Sequence, residues 1–147
     1  MNKILIEQVK EILQEEDSLA ALCNTSALLN QSLVDINWVG FYLYKNNQLI
    51  LGPFQGKVAC TRIPVGKGVC GTSFENKLLL NIDNVHEFPG HIVCDSDSKS
   101  ELVVPLIAKN KAIGVLDIDS PSYKRFSLDD EETMSEIAKM IAEKLVD

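Results

Sequence analysis

Residues 36–54, INWVGFYLYKNNQLILGPF, contain two runs of β-branched and aromatic residues separated by Asn46 and Asn47. Such residues favour strands, and a pair of asparagines tolerates the positive φ angles of a two-residue hairpin turn. The segment therefore predicts strands over 36–45 and 48–54. Because a turn this short joins antiparallel strands, the hairpin indicates that the fold contains an antiparallel sheet.

The rest of the chain predicts helices at both ends and further strands between them. Apolar residues at helical spacing predict helices over 3–16, 18–33 and 127–146. Shorter apolar stretches predict strands over 58–63, 78–82, 101–108 and 112–119, with a short helix over 69–75. Because the links are short, we expect an α+β fold, with one sheet packed by helices and loops on its other face.

The second predicted helix follows an acidic or hydroxyl cap, Asp17 or Ser18. Its apolar residues recur at helical spacing, which predicts that one face is buried. The residues expected to face inward are Leu19, Leu22, Cys23, Leu29 and Leu33.

The composition is that of an ordinary globular protein. A chain of 147 residues is long enough for one domain with its own core, which we expect over residues 1–147. The net charge of −7 argues against nucleic-acid binding, which needs a basic patch. The opening residues do not resemble a signal peptide, and no apolar run reaches the roughly 18 residues of a membrane span. We therefore expect a cytoplasmic protein, where thiols are kept reduced.

Three cysteines, Cys60, Cys70 and Cys94, lie in polar or glycine-rich surroundings. Cysteines placed in this way in an intracellular protein are more often catalytic, redox-active or metal-bound than structural. Cys94 lies in the polar segment 83–99, and a loop of about 17 residues inside a compact domain is usually functional. Cys70 has an inert alternative, since a short helix could bury it.

A zinc site built from these cysteines with His86 or His91 is disfavoured. Structural zinc sites use cysteine pairs separated by about two to four residues, whereas the nearest pair here is separated by nine. The expectation is therefore that no metal is bound.

Alternation along the first strand predicts two different faces. Val39, Phe41 and Leu43 form an apolar face that suits the core. Trp38 and Tyr42 share the opposite face with a glycine between them. Two interpretations remain open for this aromatic face: it is the wall of a pocket, or it packs beneath a covering loop.

Asp117 and Asp119 lie on one face of the strand over 112–119, since side chains alternate with period two. They form either a solvated strand end or a close acidic pair. Two close carboxylates cannot both ionise cheaply, so one of a close pair would keep a proton near neutral pH. Glu101 begins the neighbouring strand and could extend the same acidic cluster.

Six stretches of the sequence resemble the free methionine-R-sulfoxide reductases, a family built on a single GAF domain. The resemblance covers nearly the whole chain, and ordinary GAF domains lack the three spaced cysteines. The matching stretches are 37–42 (NWVGFY), 52–56 (GPFQG), 63–72 (IPVGKGVCGT), 83–96 (DNVHEFPGHIVCDS), 100–106 (SELVVPL) and 117–120 (DIDS).

The resemblance implies a GAF fold: a central antiparallel sheet of about six strands between helices, with a loop-covered pocket. It places Cys94 as the catalytic cysteine and Cys60 as the main resolving cysteine. Cys70 matches a third cysteine that could serve as a secondary resolving thiol. The substrate-binding residues of the family match the acidic and aromatic residues already singled out, namely Glu101, Asp117, Asp119, Trp38 and Tyr42.

The family's activity implies the chemistry expected here. The Cys94 thiolate would attack the sulfoxide sulfur of free L-methionine-R-sulfoxide, and a protonated carboxyl of the acidic cluster would supply the proton. The sulfenic acid left on Cys94 would condense with Cys60, and thioredoxin would reduce the disulfide. No bound cofactor is required, and a homodimer is compatible with the family.

Two sensor functions are the alternatives to this enzyme activity. One is a GAF domain that binds a small molecule without turnover, which would not need the cysteines. The other is a thiol redox sensor, which would use the same Cys60 and Cys94. A sensor of peroxide has no need for three pocket carboxyls. A purely structural partner-binding domain would not explain the long polar loop.

Overall fold

The structure is a computed structural model that describes residues 1–90 and 97–147. Within these residues, six strands form one sheet in the order β3-β2-β1-β6-β5-β4, and all neighbours are antiparallel. The strands are β1 Trp38–Lys45, β2 Gln48–Gly56, β3 Arg62–Pro64, β4 Leu80–Ile82, β5 Ser100–Ala108 and β6 Lys111–Ser120. The described helices are α1 Lys3–Ile12, α2 Ser18–Ser32, α3 Gly68–Asn76 and α4 Leu128–Val146. The predicted α+β class with about six antiparallel strands is confirmed.

The predicted hairpin forms the centre of the sheet. Asn46 and Asn47 have φ angles of 53° and 66°, as the two central residues of a type I′ turn require. β1 pairs with β2 through this turn and with β6 on its other side. The long-range pairing with β6 brings the acidic end of β6 beside the aromatic start of β1.

The sheet is covered on both faces. α2 and α4 contact one face and α1 packs against both of them, around a core that includes Val39 and Phe41. The opposite face carries a second apolar cluster, in which Trp38 and Tyr42 pack with Val69 of α3. The prediction of loops on this second face was incomplete, because α3 also contacts β3, β5 and β6 there.

Two of the residues predicted to face inward on α2 do not. Leu19 is 64% exposed and Cys23 is also exposed, whereas Leu22 and Leu29 are buried as predicted. Polar residues occupy part of the buried stripe instead. The Thr25 hydroxyl donates to the Ala21 carbonyl at 2.8 Å, which removes much of the cost of burying it.

The bounds of two other elements differ from the predictions. α1 ends at Ile12, four residues before its predicted end, because the acidic residues 15–17 oppose the negative end of a helix dipole. β3 is limited to Arg62–Pro64, so residues 58–61 are not part of a strand. α4 begins as predicted, with a capping box between Ser127 and Asp130. None of the described helices has the length and apolarity needed to cross a membrane.

Candidate active site

Strand pairing places three carboxyl groups together on the α3 face of the sheet. Glu101 of β5 lies opposite Asp119 of β6, which lies opposite Trp38 of β1. Asp117 is two residues earlier on β6 and therefore shares the same face. The expectation that Glu101 extends the pair of aspartates into one acidic cluster is confirmed.

The cluster is not a solvated strand end. Glu101 is 7% exposed and Asp117 is 5% exposed, while Asp119 is half-buried. Burial disfavours the charged form, and the charge of Asp117 adds to this effect on Glu101, so the pKa of Glu101 lies well above its usual value. Burial and then the charge of Asp119 raise the pKa of Asp117 in the same way. The interpretation as a proton-holding acidic cluster is therefore favoured.

Cys70 closes the cluster from the side of α3. Its thiol is 4% exposed and donates a hydrogen bond to the Oε2 atom of Glu101 at 3.8 Å. Burial and the charges of Asp117 and Glu101 raise the pKa of this thiol well above its usual value. The short helix does bury Cys70, but it places the thiol among the carboxyls rather than in an apolar core.

Aromatic side chains form a wall beside the carboxyls. Trp38 stacks with Phe54, with ring centroids 5.2 Å apart, and with Tyr42, at 5.9 Å. The Trp38 indole donates to the Lys57 carbonyl at 3.2 Å, and the Tyr42 hydroxyl donates to the Cys60 carbonyl at 2.8 Å. The loop after β2 therefore covers these aromatic rings, and Trp38 and Tyr42 also line a cavity. Both interpretations of the aromatic face hold.

The described cysteines differ in oxidation state. Cys60, in the loop between β2 and β3, is disulfide-bonded, whereas Cys23 and Cys70 are free. Cys94 and His91 lie outside the described residues, so the role expected for Cys94 stays a prediction. His86 is exposed and is not part of the acidic cluster.

The cavity also includes residues that the sequence did not single out. Its volume is about 50 Å³, and Lys67, Gly68 and Val69 at the start of α3 line it together with the carboxyls. The first N–H groups of a helix have no acceptor inside the helix and favour anions. The glycine-rich turn before α3 was the sequence signal that could have indicated this part of the cavity. The cavity therefore offers an acidic side for a cation and a helix start for an anion.

Comparison with known proteins gives one consistent family. The GAF domain family model matches residues 6–145. The free methionine-R-sulfoxide reductase of Escherichia coli (strain K12) is 53% identical over 131 residues, which are 89% of this chain and 79% of that protein.

Solved structures agree with the sequence comparison. The fRMsr of Staphylococcus aureus in complex with substrate has a TM-score of 0.90 and 50% identity, covering 97% of this chain and 94% of that one. The free methionine-R-sulfoxide reductase of Neisseria meningitidis, also solved with its substrate, has a TM-score of 0.92 and 39% identity. The match covers 97% of this chain and 86% of that one.

Proposed function

Because this chain belongs to the GAF-domain family and, within it, to the free methionine-R-sulfoxide reductases, we propose that it reduces free L-methionine-R-sulfoxide to L-methionine. The observation that carries the proposal is the largely buried acidic cluster of Glu101, Asp117 and Asp119 beside the aromatic wall. A sulfoxide oxygen needs a proton before its bond to sulfur breaks, and the raised pKa values of Glu101 and Asp117 favour their protonated forms. We take the 147 residues to act as one GAF domain.

The cavity suits a free amino acid because it offers both of the charges that a zwitterion needs. The substrate ammonium would bind the acidic cluster, and its carboxylate would face Lys67 and the N–H groups at the start of α3. Trp38 and Tyr42 would pack against the thioether end. A methionine inside a protein chain has neither charge, so the same cavity would discriminate against it.

Glu101 is the proposed proton donor. It is buried beside two other carboxyls, and its raised pKa favours the protonated form that a proton donor needs. Asp119 is half-buried and is better placed to contact the substrate ammonium. In this arrangement one acidic cluster both binds a cation and donates a proton.

The sulfur chemistry is proposed for Cys94. Its thiolate attacks the sulfoxide sulfur, the sulfur–oxygen bond breaks, and the oxygen passes to the cysteine as a sulfenic acid while methionine leaves reduced. The net change is one thiol and one sulfoxide converted to one sulfenic acid and one thioether. No metal or organic cofactor is needed for these steps.

Cys60 is proposed to resolve the sulfenic acid. Its thiol would displace water from Cys94 and form a Cys60–Cys94 disulfide, which thioredoxin would reduce by dithiol exchange. This pairing is supported by the disulfide-bonded state of Cys60 and by the free thiols of Cys23 and Cys70. Cys70 is a less suitable resolving thiol, because its raised pKa keeps it protonated.

The proposed function is tested by following NADPH consumption with thioredoxin and thioredoxin reductase. Free L-methionine-R-sulfoxide and the S epimer are supplied separately. We expect turnover with the R epimer alone, and loss of that turnover in Cys94→Ser. Full activity in Cys94→Ser would contradict the assignment of the catalytic cysteine. If neither epimer reacts while the thiols are shown to be reduced, the sensor interpretation replaces the enzyme.

A further inference from the structure

The thiol of Cys70 and the carboxyls of Glu101 and Asp117 form a compact set of potential metal ligands. One ligand atom from each of them lies within 4.8 Å of the other two, and all three side chains are buried. In the part of the chain that the structure describes, this is the one group of three or more histidine, cysteine, aspartate or glutamate side chains that meets this geometry. The three residues come from α3, β5 and β6, so the sheet and the helix hold them in place.

The spacing of one ligand pair, Cys70 and Glu101, is close to that of tetrahedral coordination. A zinc–sulfur bond of about 2.3 Å and a zinc–oxygen bond of about 2.0 Å at a tetrahedral angle place sulfur and oxygen about 3.5 Å apart. The Cys70 Sγ atom lies 3.8 Å from the Oε2 atom of Glu101. A shift of a few tenths of an ångström would therefore bring both atoms to bonding distance of one ion.

Asp117 provides a second, independent observation. Its side chain is 5% exposed and lines the cavity, yet its Oδ1 atom has no hydrogen-bond partner among the described residues. Buried polar atoms in native proteins are usually satisfied, and an orphaned atom of this kind needs an explanation. A ligand that supplies positive charge at this position would satisfy it.

We propose that Cys70, Glu101 and Asp117 form a zinc site, with the fourth position of the ion open to the cavity. One sulfur and two oxygens suit Zn²⁺, whereas Mg²⁺ and Ca²⁺ take six or more oxygen ligands. The ion removes the thiol proton on binding, as coordinating zinc does. Such a site was not visible in the sequence, because its ligands are 31 and 16 residues apart and follow no zinc-knuckle spacing.

Zinc bound here would occupy the carboxyls that the proposed function assigns to the substrate. Zinc and free methionine sulfoxide would therefore exclude each other, and zinc would act as a reversible inhibitor. This consequence rests on the proposed function, whereas binding of the ion does not.

The test uses the oxidised Cys23→Ser protein and Co²⁺ as a spectroscopic probe for zinc. The geometry belongs to a form in which Cys60 is disulfide-bonded, and Cys23 and Cys70 are the free thiols among the described residues. With Cys94 as the proposed partner of Cys60, removing Cys23 leaves Cys70 as the thiol under test. We expect one Co²⁺ per chain, with a thiolate-to-cobalt charge-transfer band that Zn²⁺ abolishes by displacement.

Two further variants in the same background locate the ligands. Cys70→Ser should lose the charge-transfer band, and Asp117→Asn should weaken cobalt binding at least tenfold, with circular dichroism confirming that each variant is folded. No saturable cobalt binding by the parent protein overturns the proposal, as does a band that persists in Cys70→Ser. If Cys70→Ser does not fold, unchanged affinity in Asp117→Asn overturns it.

The cobalt measurement needs no turnover, so it separates the metal site from the reductase activity. Cobalt binding by a protein that reduces neither sulfoxide epimer would support the site and contradict the proposed function. In an active protein, methionine sulfoxide should displace cobalt and raise its apparent dissociation constant at least tenfold. If saturating methionine sulfoxide leaves the cobalt affinity unchanged, the metal and the substrate do not share this site.

Discussion

Burial is the main cause of the raised pKa values in the acidic cluster. For Glu101, Asp117 and Cys70 alike, loss of solvation is the largest contribution that raises the pKa, and the neighbouring charges come second. A buried carboxyl without an opposite charge nearby destabilises the folded state once it must ionise. The same raised pKa favours the protonated form that the proposed proton donor needs, so function and stability are opposed at these residues.

Replacing Asp117 with asparagine should stabilise the ligand-free protein at neutral and alkaline pH. The folded-state pKa of Asp117 is raised, so the unfolded chain ionises first as the pH rises above about 4, and the wild-type protein loses stability up to the folded pKa. Thermal melts should show a higher Tm for Asp117→Asn at pH 8, by a few degrees, and no difference near pH 3. Exposed Asp83 provides the matched control, Asp83→Asn. A lower Tm for Asp117→Asn at pH 8 would contradict this assignment.

Replacing Glu101 with glutamine should remove the proposed proton donor while keeping the shape of the side chain. General acids contribute about 10²–10⁴ in rate, so kcat/KM should fall about a hundredfold or more. Exposed Glu136 on α4 supplies the control variant Glu136→Gln, which should leave the steady-state rate unchanged. A loss smaller than tenfold, about 1.4 kcal/mol, would argue against Glu101 as the donor.

At the scale of elements, the central hairpin orients the aromatic wall. The register between β1 and β2 shifts between Gly40 and Tyr42, and Phe54 crosses over Gly40 to stack on Trp38. A Cβ atom at position 40 would lie 2.8 Å from the Cα atom of Phe54 and closer still to its Cβ. The missing side chain at Gly40 is therefore what allows Phe54 to reach Trp38.

Gly40→Ala should destabilise the protein, because the added methyl group has no room and forces β2 away from β1. Overpacking of this kind costs about 1–3 kcal/mol. Denaturant unfolding measures the loss, and Trp38 fluorescence should report a changed environment. Gly52→Ala in the same strand pair is the control, since its Cβ would meet no atom closer than 3.3 Å. Equal losses in the two variants would show that steric exclusion is not the cause.

At the scale of the whole molecule, one face of the sheet packs against the helical core and the other face carries the candidate active site. α1, α2 and α4 cover an apolar core on one side, while α3 and the loop after β2 enclose the cavity on the other. The proposed redox pair would link Cys60, in the loop after β2, to Cys94, which lies 34 residues later in the chain. Formation or reduction of the proposed disulfide would therefore affect the residues that cover the cavity and not the helical core.

Cys60→Ser should separate the first half of the reaction from the second. The pre-reduced variant should release about one methionine per site and then stall with thioredoxin, because the main resolving thiol is missing. Chromatographic quantification of methionine gives the stoichiometry, and Cys23→Ser serves as the control with an unchanged steady-state rate. A Cys60→Ser protein that turns over at the wild-type rate would exclude Cys60 as the resolving cysteine.

Local patterns in the sequence predicted the elements well. The Asn46-Asn47 turn, the Ser127 cap and the alternation along β1 and β6 depend on neighbouring residues, so they are visible without a structure. The prediction for α2 was wrong at Leu19 and Cys23 because apolar identity was taken for burial. Which stripe of a helix is buried depends on what packs against it.

The sequence by itself determined the α+β class, the hairpin, the face shared by Asp117 and Asp119, and the resemblance that named the cysteines. Only the tertiary structure decided that Glu101, Asp117 and Cys70 are buried together and that the start of α3 lines the same cavity. The reason is physical: pKa values and ligand geometry depend on the solvation and spacing of groups brought together from distant strands. Sequence periodicity reports which side of a strand a residue occupies, but not what covers that side.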